Sequence, residues 1–261
     1  MTVHSTAIVE DGATIGQDVS IGPYCHVSSN AVIKTGAQLD SFVRVMDGVT
    51  IGARCKIGAS VVLGGAPQIF PYQDEPSTVE IGDDCVIREH VTIHRGSTRG
   101  HKKTIIGNSC YIMDTAHIGH DCHLADKCIL ARGVALGGHC DLGEGVYVGG
   151  HSAVHQWVSI GKGAFIGGVL PLTRDVIPYA LVNGNPAKLK GLNITGFKRC
   201  GRDRRDIAKI REAFRTIFYG HGDSIKERAQ IVQAEGSDLI EVGEIVQFVL
   251  NPSKRGLCTI D

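Results

Sequence analysis

The sequence predicts a parallel β-helix of hexapeptide repeats followed by a small α-helical C-terminal domain. Three observations carry this reading. An aliphatic residue returns at every sixth position for almost 170 residues, a second column of small residues runs two places ahead of it, and beyond Pro178 the pattern changes to a helical one. No α-helix or ordinary strand has period six, whereas a β-helix with one short strand per hexad does. Three hexads complete a triangular coil, so residues eighteen apart stack about 4.8 Å from each other in adjacent coils.

The aliphatic column opens with Val3, Val9, Ile15, Ile21, Val27, Ile33, Leu39, Val45, Ile51, Ile57 and Leu63. It resumes with Ile81, Ile87 and Ile93, and then runs from Ile106 to Leu172. The small column includes Ala13, Cys25, Ala37, Cys55, Cys85, Cys110, Ala116, Cys122, Cys128, Cys140 and Ser152. Both columns should point into a narrow core with no room for aromatics. Seven of the nine cysteines fall in the small column. There they read as small hydrophobes rather than as metal ligands or disulfides, which suits a reducing compartment. Cys200 and Cys258 lie outside the repeat. Glycine often follows the aliphatic residue, as at Gly16, Gly52, Gly119 and Gly143, where it is expected to supply the backbone freedom of a tight corner.

Two interruptions stand out. Leu63 and Ile81 are eighteen residues apart, which reads as one coil whose Gly/Pro-rich segment leaves as a loop near 64–80. Ile93 and Ile106 are thirteen apart, so residues near 94–105 must bulge outward. The hexad domain is assigned to residues 1–185 and the helical domain to 186–261. Helices are expected from Arg202, with Ile207, Ile210, Ala213, Phe214, Ile217 and Phe218 on one face, then over 224–234 and 238–250.

The formal net charge is zero, which excludes a nucleic-acid binder driven by bulk charge. No stretch approaches the length of a transmembrane segment and the start carries no signal-peptide pattern, so the expected localisation is cytoplasmic. Residues 186–215 are locally basic, with Lys188, Lys190, Lys198, Arg199, Arg202, Arg204, Arg205, Lys209, Arg211 and Arg215. They form either a solvated helix face or a footprint for an acidic partner or phosphate.

Six of the twelve histidines lie between 117 and 155. The eighteen-residue map stacks His120, Gly138 and Gln156 in one column and Asp121, His139 and Trp157 in the next, with His117 one corner away. A neutral histidine beside a carboxylate can accept a proton from a hydroxyl or amine nucleophile. A glycine next to it lets substrate approach the backbone, whose N–H can hold a developing oxyanion. A zinc site from His117, His120 and His123 is the competing chemistry.

These residues also carry a resemblance. The hexad domain, Ile93-His94-Arg95-Gly96, the segment from Ala116 to Cys122, His155-Gln156 and the segment from Gly191 to Arg199 together resemble the UDP-N-acetylglucosamine acyltransferase family. The resemblance implies left-handed coils and a homotrimer with its sites between subunits. It implies transfer of an (R)-3-hydroxyacyl chain to the 3-hydroxyl of UDP-N-acetylglucosamine, opening lipid A biosynthesis. The donor would be the phosphopantetheine thioester of acyl carrier protein, with no other cofactor and no metal. By position, His120 resembles the general base, Asp121 its orienting partner and Gly138 the oxyanion donor. His117, His139, His155, Gln156 and Gln68 match substrate-cleft positions, Asn193 and Arg199 match nucleotide-binding ones, and Gly168 matches the position that limits acyl length. The family loop usually reads Gln-Asp-Leu-Lys-Tyr, where this chain has Gln68-Ile69-Phe70-Pro71-Tyr72, and Thr195 stands where the family often has Glu. Four other readings stay open: N-acylation of a 3-amino UDP-sugar, an acetyl-CoA-dependent hexapeptide acetyltransferase, a zinc β-helix resembling γ-carbonic anhydrases, and a non-catalytic trimeric scaffold that has kept the fold.

Overall fold

A computed structural model describes residues 1–222 and 224–260. Short parallel strands stack into three long sheets, which close into a left-handed β-helix of triangular section. The first face carries Tyr111–Ile112, Ile129–Leu130 and Tyr147–Val148. The second carries His117–Ile118, Ala135–Leu136 and Ala153–Val154. The third carries His123–Leu124, Asp141–Leu142 and Ser159–Ile160. Pairing along each face follows the expected offset of eighteen, as His117 with Ala135 and Ala135 with Ala153 show.

Both inward columns are buried from Val19 onward, while at the open end Val3 is exposed and Val9, Ala13 and Ile15 of the first coil are half-buried. Ile33, Ile51, Leu63, Ile93, Ile118 and Leu136 are fully enclosed, and so are the seven cysteines of the small column. The thiols do more than fill space: Cys122 Sγ donates to Gly137 O at 3.1 Å and Cys140 Sγ to His155 O at 3.3 Å, linking neighbouring coils. Burial pushes the Cys122 thiol well above its ordinary pKa. Outside the repeat, Cys258 is buried and Cys200 exposed.

Two expectations need correction. The eighteen residues after Leu63 are not one coil. Ile51 pairs with Ile81, Ile57 with Ile87 and Leu63 with Ile93, an offset of 30, so twelve residues leave the coil within a single hexad step. The second interruption behaves as expected: Ile81 pairs with Ile106 at an offset of 25, and seven residues bulge out.

The corner glycines are the second correction. The left-handed backbone at most corners belongs to the residue three places after the aliphatic one, usually not a glycine: Asp84 (φ 59°), Asp121 (φ 59°), His139 (φ 62°) and Trp157 (φ 68°) are examples. That conformation costs an L residue about 1–2 kcal/mol, which the stacked coils sustain. The glycine directly after the aliphatic residue serves close approach instead. A Cβ on Gly52 would stand 2.2 Å from Gly82 O, and one on Gly119 2.8 Å from Gly138 N.

Gly184 to Ala187 form the turn of an antiparallel hairpin, Ala180–Asn183 with Lys188–Leu192, that ends the first face. Among the described residues four helices follow: α1 (Ile194–Arg199), α2 (Arg204–Tyr219), α3 (Ile225–Glu235) and α4 (Ile240–Leu250). The short α1 was not expected from the helical periodicity, because six residues are too few to display one. Ile207, Ile210, Phe214, Ile217 and Phe218 of α2 are buried as anticipated, and a Ser224–Glu227 capping box starts α3. The tail after α4 returns to the β-helix. Buried Asp175 accepts from Ser159 N at 2.8 Å and Ser253 N at 3.1 Å, and Arg255 Nε donates to Gln156 O at 2.9 Å.

Candidate active site

The corner between the second and third faces forms a ridge across three coils. His139 N–H donates to His120 O at 2.9 Å and Trp157 N–H to Gly138 O at 3.0 Å, which fixes the predicted columns His120–Gly138–Gln156 and Asp121–His139–Trp157. The His120 ring lies over the Gly138 α-carbon, so a Cβ there would stand 2.4 Å from His120 Cε1. Among the described residues the Gly138 N–H meets no backbone acceptor.

Asp121 is buried behind the ridge. His120 Nδ1 lies 2.8 Å from its Oδ2. The bulged loop supplies the other donors: Ser97 N–H reaches both carboxylate oxygens at 3.0 Å, Ser97 Oγ donates to Oδ2 at 2.7 Å, and His101 N–H donates to Oδ1 at 3.0 Å. Burial alone would raise the Asp121 pKa, but the bonds from His120 and Ser97 outweigh it and hold the carboxyl below its usual value. An anionic Asp121 assigns the proton to His120 Nδ1 and leaves Nε2 as a lone-pair acceptor facing the cleft.

His139 stacks on Trp157 with ring centroids 3.7 Å apart and meets His120 edge-on at 4.8 Å. Burial lowers its pKa, against the pull of Asp121, so the ring is neutral near pH 7. His120, Asp121 and His139 are the one group of potential metal ligands among the described residues. The Asp121 oxygens, however, are already fully engaged by protein donors. The zinc set expected from His117, His120 and His123 does not converge. His117 bonds Thr92 at 2.8 Å on the second face, His123 bonds Asp141 at 2.9 Å on the third, and the ridge separates them.

A cleft of about 400 Å³ runs along the second face beside the ridge, lined by Gln68, His94, His117, His120, Gly138, His155 and Gln156 among others. His94 and His117 meet edge-on at 5.0 Å, and burial lowers both pKa values. His94 Nδ1 is anchored on Ala66 O at 2.6 Å, which ties the first loop to the cleft. Arg95 joins the two loops through Asp74 and Tyr72.

The C-terminal residues 175–258 match a family signature described as UDP N-acetylglucosamine O-acyltransferase, domain 2, and residues 30–65 and 103–138 match bacterial transferase hexapeptide repeats. The chain is 47% identical over 257 residues to acyl-[acyl-carrier-protein]–UDP-N-acetylglucosamine O-acyltransferase of Bartonella quintana, covering 98% of this chain and 93% of that one. The Bartonella henselae enzyme of the same name is 44% identical with the same coverage. This chain belongs to the UDP-N-acetylglucosamine acyltransferase family. Solved members agree in shape. The Campylobacter jejuni UDP-N-acetylglucosamine acyltransferase gives a TM-score of 0.93 at 34% identity over 100% of both chains. The Acinetobacter baumannii structure gives 0.93 at 33%, over 98% of this chain and 99% of that one.

Not every residue matched to the family's site lines the acyltransferase cleft. Gly168 is exposed at the corner between the first and second faces, where a Cβ would stand 3.1 Å from Gly150 O. Asn193 caps α1 by accepting from Gly196 N at 2.9 Å, and it donates to Gly163 O at 3.1 Å. Arg199 is exposed in the last turn of α1. Conversely, His94, Ser97 and His101 belong to the site yet escaped residue-by-residue reading. Their signal was the broken spacing after Ile93, which located the loop but not its partners.

Proposed function

We propose that this chain transfers an (R)-3-hydroxyacyl group from acyl carrier protein to the 3-hydroxyl of UDP-N-acetylglucosamine, the opening step of lipid A biosynthesis, with His120 as general base. The observation that carries the mechanism is the His120–Asp121 pair, whose second ring nitrogen is free over the backbone of Gly138. The sugar hydroxyl gives its proton to His120 Nε2 as its oxygen attacks the thioester carbonyl. The carbonyl oxygen, now an anion, takes the hydrogen bond of Gly138 N–H. Collapse of the tetrahedral intermediate expels the pantetheine sulfur, which receives the proton from His120, and leaves an ester on the sugar. Asp121 stays ionised throughout and stabilises the transient imidazolium. No step calls for a metal.

His117, His155, Gln156 and Gln68 are assigned to the substrate cleft, whereas His139, matched to the same cleft by resemblance, lies on the third-face side of the ridge with His101, Asp121 and Trp157. Asn193, Arg199 and Gly168 stand away from His120 within one chain, which supports a homotrimer that completes each cleft from a neighbour. The relatives are named O-acyltransferases, so the amide, acetyl-CoA and zinc readings are not favoured. No described helix is long and apolar enough to cross a membrane, and the free buried thiols fit a cytoplasmic site of action.

The test is mass spectrometry of the product from 3-hydroxyacyl carrier proteins of several lengths, with UDP-N-acetylglucosamine and its 3-amino analogue both present. An alkali-labile acyl ester of UDP-N-acetylglucosamine is expected. An amide product, or no acyl sugar at all, would overturn the assignment of acceptor or activity.

A further inference from the structure

The loop from His94 to Lys102 is an insertion in the hexad pattern, and its inner rim is built around one carboxylate. Ser97 is only 1% exposed, and its amide and hydroxyl both point at Asp121. The hydroxyl donates to Oδ2, the same oxygen that receives His120 Nδ1. Gly100 lies so near that a Cβ would stand 2.5 Å from Asp121 Cγ and 2.7 Å from His139 Cε1. Buried Thr104 holds the other end by accepting from Asp121 N–H at 2.9 Å. A cap that only closed the prism would need no donors converging on one buried acid.

We propose that Ser97 is a positioning residue for the transfer reaction: its hydroxyl fixes the Asp121 oxygen that orients His120. The proposal rests on the assignment of His120 as the base. Ser97 touches no reacting atom and acts through Asp121. A carboxylate that loses one buried charge-assisted donor becomes more basic. It then holds a proton more tightly, whether its own or the one shared with His120.

The experiment compares Ser97→Ala and Ser97→Thr with the parent chain in two measurements. In steady-state kinetics, Ser97→Ala should lower kcat about 10-fold with KM nearly unchanged, and move the acid limb of the kcat/KM profile to higher pH. Ser97→Thr, which keeps the hydroxyl, should restore both. In ¹⁵N spectra of the histidine rings, which need no substrate, the His120 titration midpoint should rise in Ser97→Ala and return in Ser97→Thr. Parental kinetics and an unmoved midpoint in Ser97→Ala overturn the proposal. So does a loss of kcat with an unmoved acid limb that threonine fails to restore, because that marks a purely structural hydroxyl. If the parent chain itself transfers no acyl group, the functional assignment fails, while the ring titration still decides whether Ser97 governs the pair.

Discussion

Two histidine–aspartate pairs sit within one coil of each other. His120 and Asp121 meet at 2.8 Å on the ridge, and His123 and Asp141 at 2.9 Å on the third face. Distance does not distinguish them, but their surroundings do. The side chains of the first pair are 11% and 0% exposed, and those of the second 53% and 64%. Asp121 accepts three further kinds of donor from the bulged loop, whereas among the described residues the Asp141 carboxylate meets His123 alone. The bond to Asp141 raises the His123 pKa, so this pair gains by charging its histidine. On the ridge the shift falls on the acid, which stays anionic at lower pH than usual. A His–Asp contact thus becomes a poised base only where other donors hold the acid and the ring faces a cleft.

The largest expected effect separates the two histidines. His120→Ala should lower turnover about 10²–10⁴-fold, the usual worth of a general base, with the melting temperature preserved. His123→Ala should stay within about 3-fold of the parent. Equal losses in both variants, measured with acyl carrier protein and UDP-N-acetylglucosamine, would dissolve the distinction.

Gly138→Ala should cost about 10²-fold, because the new methyl displaces the His120 ring by roughly an ångström. A crystal structure of the variant should show the ring rotated with Asp121 still bound to Ser97. An unmoved ring would place the clash elsewhere.

The smallest effect is on stability. Asp121 has a lowered pKa in the folded state, so its contribution is present above about pH 3.8 and is lost as pH falls through the folded value. His94, His117 and His139 are held below their usual value by burial. Their titration leaves stability unaffected well above about pH 6.5 and opposes the folded chain as pH falls below that. His123 has the opposite sign: its contribution is present below about pH 6.5 and fades as pH rises through its raised value. The melting temperature should therefore fall between pH 7 and pH 5, and a His94→Gln, His117→Gln double variant should flatten that fall. Asp141→Asn should change stability by less than about 1 kcal/mol. A parent melting temperature flat across this window would remove burial as the cause.

The ridge was legible because stacking is arithmetic. Once residues eighteen apart coincide, His120, Gly138 and Gln156 must meet, and they do. The same arithmetic failed after Leu63, because a twelve-residue loop is a multiple of six and disguises itself as hexads. The second loop's offset of 25 followed from the thirteen-residue spacing, but the edge-on contact of the His94 ring with His117 depends on side-chain placement at the mouth of a loop, which counting does not give. The donors to Asp121 were hidden for a related reason: loop backbone amides carry no side-chain signature. The glycine reading failed because sequence shows a missing Cβ but not whether rotation or proximity demands it.

The tail contact at Arg255 bears on when the protein becomes whole. The three coils of the ridge are complete once Trp157 has been made, yet the guanidinium that closes on Gln156 O lies 99 positions further on. At roughly 5–20 residues per second, a nascent chain would carry the finished ridge for about 5–20 s before its latch emerged. The ridge is thus an early product of synthesis, and the tail a late seal upon it.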